Sequence, residues 1–179
     1  MLENKLKIDS LMPEFSLKGI DEKIYDSKSF IDKELLIIIF SCNHCPYVQA
    51  YEDRIISLQN EFEKDKVQII TINSNDDAKY PDDSFEEMKK RANLKNFNFP
   101  YLRDKSQEIA KEFGATHTPQ IFLFDKHRKL KYEGKIDDNW QEPEKVKSKY
   151  LRDAITEVLN SKEVSVPETF SIGCTIKWK

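Results

Sequence analysis

The sequence contains no long hydrophobic run. Its longest apolar stretch, 35–40 ("LLIIIF"), falls far short of the roughly 20 residues a membrane-spanning helix requires. The opening "LENKLKIDSLMPEF" lacks the apolar core of a secretory leader, so a cytoplasmic location is expected. No charge of either sign dominates. The 29 Lys and Arg against 32 Asp and Glu leave a net charge of −3, and neither nucleic acid nor an anionic membrane is favoured as a partner. The basic run "KHRKLK" (126–131) reads as a solvated hairpin. Repeats and low-complexity segments are absent. Cysteines are few and odd in number, three in 179 residues, which argues against a disulfide framework. A chain of this length suits one domain with a proper core, spanning 1–179, with 161–179 as a C-terminal arm.

The hydrophobic pattern supplies the elements. "EFSLKGIDEKIYD" (14–26) alternates around Gly19 and predicts a short hairpin. "ELLIIIF" (34–40) and "VQIITIN" (67–73) are continuous β-favouring runs, the pattern of strands buried on both faces. Between them, Val48, Tyr51, Ile55, Leu58 and Phe62 recur at helical spacing behind Pro46, which is tolerated in a first helical turn. Strand, helix, strand reads as a βαβ unit. Ser84 with Glu87 predicts a capping box before "FEEMKKRANLK", and Asp104 with Gln107 a second before "SQEIAKEF", closed by Gly114. Strands follow at 120–125 and 129–134 around a turn at 126–128, then a helix from Glu144 to Asn160. In the tail, Phe170, Ile172, Ile176 and Trp178 alternate, as in an extended segment with one packed face. The fold expected is α/β: a mixed central sheet with helices on both faces, an N-terminal hairpin and a C-terminal arm.

The chemistry centres on "FSCNHCPYV" (40–48), where Cys42 and Cys45 bracket Asn43 and His44 at a strand-to-helix junction. Unpaired N–H groups and the dipole at a helix N-terminus favour thiolate over thiol. A two-residue spacing lets one sulfur reach the other. A CxxC beside a βαβ pattern marks a thioredoxin-like redox motif. Cys42 is expected to be the exposed, low-pKa nucleophile, and Cys45, one turn inside the helix, the resolving thiol, with His44 in support. Thr118–Pro119 stands directly before a strand, where thioredoxin-like folds carry a cis-proline beside the CxxC; similarity to them implies a cis bond here, which X–Pro permits. Cys174 is a candidate accessory thiol whose alternative reading is a small buried residue. His117 reads as an exposed loop histidine near that face, Asp137 and Asp138 as turn and cap residues, and Trp140 and Trp178 as packing residues.

The stretches "CNHCPYV" (42–48), "DDSFEEMK" (82–89), "FPYLRDKSQEIAKEFGATHTPQIFLFD" (99–125), "YEGKIDD" (132–138) and "GCTIKWK" (173–179) together resemble the redoxin branch of the thioredoxin superfamily. The resemblance is to its peroxiredoxin-like proteins related to alkyl hydroperoxide reductase and thiol-specific antioxidant. It implies a thioredoxin-like three-layer sandwich and a thiol–disulfide or peroxide-related activity. One departure bears on which. If Cys45 stands where such proteins carry a peroxidatic cysteine, Cys42 occupies the place of a threonine, and Thr118 lies at or near that of an arginine that polarises peroxide. Thiol–disulfide exchange is therefore the leading reading, with disulfides and thiols of proteins or small molecules as partners and no cofactor or metal. A thiol peroxidase using Cys45 or Cys42 is the alternative, with Arg103 or Arg128 as candidates to fold in. A zinc site drawing on Cys42, Cys45, His44 or His117, and Cys174, or a non-catalytic binding scaffold, are further alternatives.

Overall fold

The computed structural model describes residues 5–179. Strand β1 (Ser16–Gly19) turns back into β2 (Ile24–Asp26), the expected hairpin. Gly19 is required at its end, because a Cβ there would stand 2.7 Å from both Asp21 Oδ1 and the Tyr25 ring. The strand β3 (Leu35–Ser41) is buried along its whole length. It runs parallel to β4 (Val67–Asn73) and antiparallel to β7 (Gln120–Phe124). With β5 (Tyr101–Arg103) and β8 (Leu130–Gly134) in place, the main sheet has the order β2-β1-β5-β4-β3-β7-β8, and β6 (His117–Thr118) lies outside it. The β3–β4 crossover is the helix α1 (Pro46–Glu61), completing the expected βαβ unit.

Period-two alternation in β3 divides the core. Leu35, Ile37 and Ile39 face α1, through Tyr51, Ile55 and Leu58, and α4 (Tyr150–Leu159), through Leu151, Ala154 and Ile155. Leu36, Ile38 and Phe40 face the opposite way, onto Phe122 and onto Ala110 and Phe113 of α3 (Glu108–Phe113). Helix α2 (Phe85–Lys95) buries Met88 and Ala92 against Tyr101. Its Arg91 pairs with the buried Glu52 of α1. The result is the three-layer, thioredoxin-like sandwich with helices on both faces of a mixed sheet. Among the described residues, no helix is long and apolar enough to cross a membrane.

Four local expectations are corrected. Helix α4 begins at Tyr150, not Glu144. A single 3-10 turn occupies Pro143–Lys145. Beyond it the backbone is tied to the preceding loop: Lys147 N donates to Asp138 Oδ1, Asp138 N to Ser148 O, and Leu151 N to Ile136 O. Those tertiary bonds hold the chain extended where the side-chain period alone suggests helix. Asp104 does not form a capping box with Gln107. It is fully buried, accepting from Ser74 Oγ and Ala110 N, while Gln107 is itself the helix cap in a left-handed conformation. Ser84 does cap α2 by accepting from Glu87 N, but its own N–H goes to Pro81 O and Glu87 pairs with Lys90, so the reciprocal half of the box is missing.

The tail shows the fourth difference. Ile176 is buried, but Phe170 is 93% and Ile172 43% exposed. The arm is held mainly by backbone bonds, not by a continuous apolar face. Glu133 N donates to Pro167 O, Thr169 N to Glu133 O and Ile176 N to Thr116 O. A two-residue strand β9 (Cys174–Thr175) pairs antiparallel with β6.

Phe122 meets Phe40 and Phe113 edge-to-face at centroid distances of 5.8 and 5.6 Å with no exposure. Phe122→Ala is expected to lower stability by about 3–5 kcal/mol, because the sheet cannot collapse into the space left. Urea unfolding followed by circular dichroism checks this; a loss under about 1 kcal/mol would mean that the site repacks.

Candidate active site

Strand β3 ends at Ser41, and α1 starts at Pro46. The four residues between are pinned from the side by Asp83. Asp83 Oδ1 accepts from Asn43 N at 2.6 Å and Asn73 Nδ2 at 3.2 Å, and Oδ2 accepts from Asn75 Nδ2 at 2.8 Å. His44 Nδ1 lies 2.5 Å from Oδ2, though off the line of a hydrogen bond. Its ring stacks on Tyr80 at 5.7 Å. The Asn43 side chain donates to Asp82 O and accepts from Tyr101 OH, and Gln49 Nε2 donates to Asn43 O. A peptide loop with its polar groups matched in this way has little freedom to rearrange.

The structure brings together every residue of the sequence-derived site. The Thr118–Pro119 bond is cis. Thr118 Oγ1 lies 3.3 Å from Cys42 Sγ, and its carbonyl oxygen 3.2 Å from Cys45 Sγ. Cys174 Sγ lies 2.8 Å from Cys45 Sγ. All three cysteines are free thiols. His117 joins the same face through β6 but bonds to Thr116 Oγ1. Tyr47 packs against the cysteine cluster and, at 4.3 Å between ring centroids, against Trp140. Asp137 accepts from Tyr51 OH and Arg54 Nη1, and Asp138 from Lys147 N.

The two cysteines of the motif differ from expectation. Cys42 is not exposed: it is 2% accessible, and Cys45 is fully buried. Cys45 is not inside α1 but is its N-cap residue. The expected order of acidity is also reversed. The Cys45 pKa is held well below the ordinary thiol value, first by the Cys42 thiol donating to it, then by Cys174 and the Val48 and Cys174 backbone, with burial opposing. Cys42 is pushed up by its partner Cys45, by burial and by the Asp83 charge. Burial and Cys45 raise Cys174. The physical reason is position. The cap residue lies at the N-terminus of α1, where the first helix N–H groups favour negative charge, whereas Cys42, three residues earlier, faces the Asp83 carboxylate.

Asp83 is the residue that sequence reasoning missed. It lies in "YPDDSFEE" (80–87), where consecutive acidic residues before a helix look like solvated turn and cap positions. Cys42, His44 and Asp83 each bring one ligand-type atom within 4.8 Å of the others. That set differs from the expected zinc candidates by including Asp83 and omitting Cys45 and Cys174. A structural zinc takes four ligands, and both Asp83 oxygens already accept from asparagine or backbone donors. Neither arginine completes a peroxide site. Arg103 is spent on Asn73 O, Asn75 O and Asp77. Arg128 binds Phe30 O and Lys33 O, before the start of β3 and at the end opposite the cysteines.

The charge distribution generates a titration prediction. In the reduced protein the ultraviolet thiolate absorbance is expected to persist far below the ordinary thiol midpoint of about 8.5, and to be lost in Cys45→Ser. Cys42→Ala removes the leading donor, so the Cys45 midpoint should rise. A midpoint unchanged in Cys42→Ala, or a low-pH thiolate that survives Cys45→Ser, would assign the charge elsewhere.

The geometry has close counterparts. A hypothetical protein from Sinorhizobium meliloti 1021 has a solved structure with a TM-score of 0.92 and 31% identity, covering 98% of this chain and 97% of that one. An uncharacterized conserved protein from Geobacillus kaustophilus gives a TM-score of 0.92 and 35% identity over 98% and 94%. At this coverage both likenesses extend into the C-terminal arm. The thioredoxin domain of a thiol-disulfide oxidoreductase from Bacteroides vulgatus shares the fold at a TM-score of 0.62 and 14% identity, over 72% of this chain and 89% of that one. No curated protein matches the chain significantly. The match to the AhpC/TSA family spans residues 8–133, from before β1 to near the end of β8. With the cysteine pair, the cis-proline loop and all but the last residue of the main sheet inside that span, the chain belongs to the AhpC/TSA family, a membership that supports thiol-redox chemistry.

Proposed function

We propose that the protein is a thiol–disulfide oxidoreductase whose working dithiol is Cys42–Cys45. The observation that carries this reading is the N-cap position of Cys45, with the thiols of Cys42 and Cys174 and the Val48 N–H favouring its thiolate. The Cys45 thiolate attacks one sulfur of a substrate disulfide, forming a mixed disulfide and releasing the other half as a thiolate. That leaving thiolate takes a proton, for which Cys42 is the nearest source. The Cys42 thiolate then attacks Cys45 Sγ, the Cys42–Cys45 bond forms, and the second substrate thiolate leaves. Two electrons pass from protein to substrate, and the reverse sequence oxidises a dithiol. Thr118 borders both sulfurs and offers a hydroxyl and a carbonyl oxygen to them.

A thiol peroxidase is the second reading. It is favoured by the AhpC/TSA membership and by a depressed cysteine directly before Pro46. Against it, Arg103 and Arg128 are committed to carbonyl groups and Asp77, so neither of these guanidiniums is available to stabilise the leaving oxygen.

Single-turnover assays separate the two. Reduced protein is expected to reduce a small aromatic disulfide stoichiometrically and to end with Cys42 linked to Cys45. In Cys45→Ser, that rate should fall by about two orders of magnitude or more. Catalytic consumption of hydrogen peroxide that survives in Cys42→Ser but not in Cys45→Ser would replace this reading with the peroxidase.

A further inference from the structure

We infer that Cys174 is a third catalytic thiol, which moves the disulfide from the buried Cys42–Cys45 pair to the solvent-facing bond Cys45–Cys174. The inference rests on the exchange chemistry proposed above and adds the route by which the site is regenerated.

Three observations converge. Cys45 Sγ and Cys174 Sγ are 2.8 Å apart, so a short movement brings them to the roughly 2.05 Å of a disulfide. Of the three cysteines, Cys42 and Cys45 are buried, while Cys174 is half-buried and meets solvent. The arm that carries Cys174 is fastened in place. Thr118 pairs with Cys174 and His117 with Thr175. Beyond them, Lys177 O accepts from Asp76 N and Gln107 Nε2, Lys177 N donates to Asn75 Oδ1, and Lys179 N donates to Gln107 Oε1. A terminal segment lacking such ties ordinarily frays. Gly173 makes the approach sterically possible, since a Cβ there would stand 2.1 Å from Thr118 O and 2.7 Å from the Thr118 carbonyl carbon.

The chemistry balances without an unnamed reagent. After substrate reduction, the protein holds the Cys42–Cys45 disulfide and a Cys174 thiol. Cys174, giving up its proton, attacks Cys45 Sγ. The Cys45–Cys174 bond forms, the Cys42–Cys45 bond breaks, and Cys42 leaves and takes the proton, with no net change in oxidation state. An external thiol then attacks Cys174 Sγ from the solvent side, and Cys45 leaves as the thiolate. Low-pKa thiols leave fastest, and Cys45 is the sulfur whose thiolate the site favours. A second external thiol attacks the mixed disulfide on Cys174. Cys174 is released, and the two external thiols depart joined as a disulfide, having supplied two electrons.

The test uses the full chain. Reduced protein is treated with one equivalent of glutathione disulfide, quenched in acid and mapped by mass spectrometry; reduction of the oxidised protein by glutathione is timed separately. Wild type is expected to yield both Cys42–Cys45 and Cys45–Cys174 linkages, and Cys42→Ser the Cys45–Cys174 linkage alone. Cys174→Ser should still close Cys42–Cys45, but its reduction by glutathione should slow by about tenfold or more, as access to a buried disulfide limits exchange. Gly173→Ala, which keeps the thiol but displaces the arm from Thr118, should show the same slowing. A Cys174 that stays unlinked in wild type and Cys42→Ser, or Cys174→Ser reduced at the wild-type rate while Cys42–Cys45 forms normally, overturns the relay and leaves the dithiol reading intact. Failure of Cys42–Cys45 to form in wild type overturns the dithiol reading itself.

Discussion

The Asp83 carboxylate is the interaction on which the site's order depends. It is fully buried, and a buried carboxylate is tolerable only when its oxygens are met by donors. Those donors come from the CNHC loop, through Asn43 N, and from the end and exit of β4, through Asn73 and Asn75. One side chain from the turn before α2 thereby fastens the loop after β3 to the neighbouring strand. It also places negative charge beside Cys42 and not at the helix cap. The asymmetry between the two thiols starts from their own pairing, Cys42 donating to Cys45, and from the burial of Cys42; the Asp83 charge adds to it at Cys42 and the Val48 N–H of the first turn of α1 adds to it at Cys45.

The sheet determines where this can happen. β3 and β4 are parallel, and β7 runs antiparallel on the other side of β3. The C-terminal end of β3 and the N-terminal end of β7 therefore meet at one edge, which brings Cys42 and the Thr118–Pro119 loop together from positions 76 residues apart. Open α/β sheets commonly place their chemistry at the carboxyl ends of parallel strands. Here β6 leaves an unpaired edge at that place, and the C-terminal arm fills it with β9. An exposed strand edge is a template for a further strand, and in this protein the strand that occupies it brings a thiol.

Much of the architecture was legible in the sequence because it rests on local pattern. The runs at 34–40 and 67–73 carry the β-favouring pattern of strands buried on both faces, and the spacing of Val48, Tyr51, Ile55 and Leu58 gave α1 its buried face. The start of α4 was not legible, because bonds from the 136–138 loop override the helical period before Tyr150. Asp104 looked like a cap and is instead a buried acceptor for Ser74 and Ala110, partners that no local motif discloses. In the tail, alternation suggested an apolar face, whereas backbone pairing to β6 and side-chain amides does most of the holding.

The sequence by itself determined the element order, the α/β class, and the meeting of a CxxC with a helix N-terminus, since these follow from periodicity and from residue types a few positions apart. Only the tertiary structure decided how the surroundings of the three thiols differ. Whether a cysteine holds a proton depends on charges and donors from distant segments: Asp83 beside Cys42, and Cys174 arriving on an added strand beside Cys45. Exposure was decided in the same way. The cis-proline loop and the arm lie against the CNHC, so the sulfur facing solvent is carried by the last element of the chain and not by the motif that marks the site.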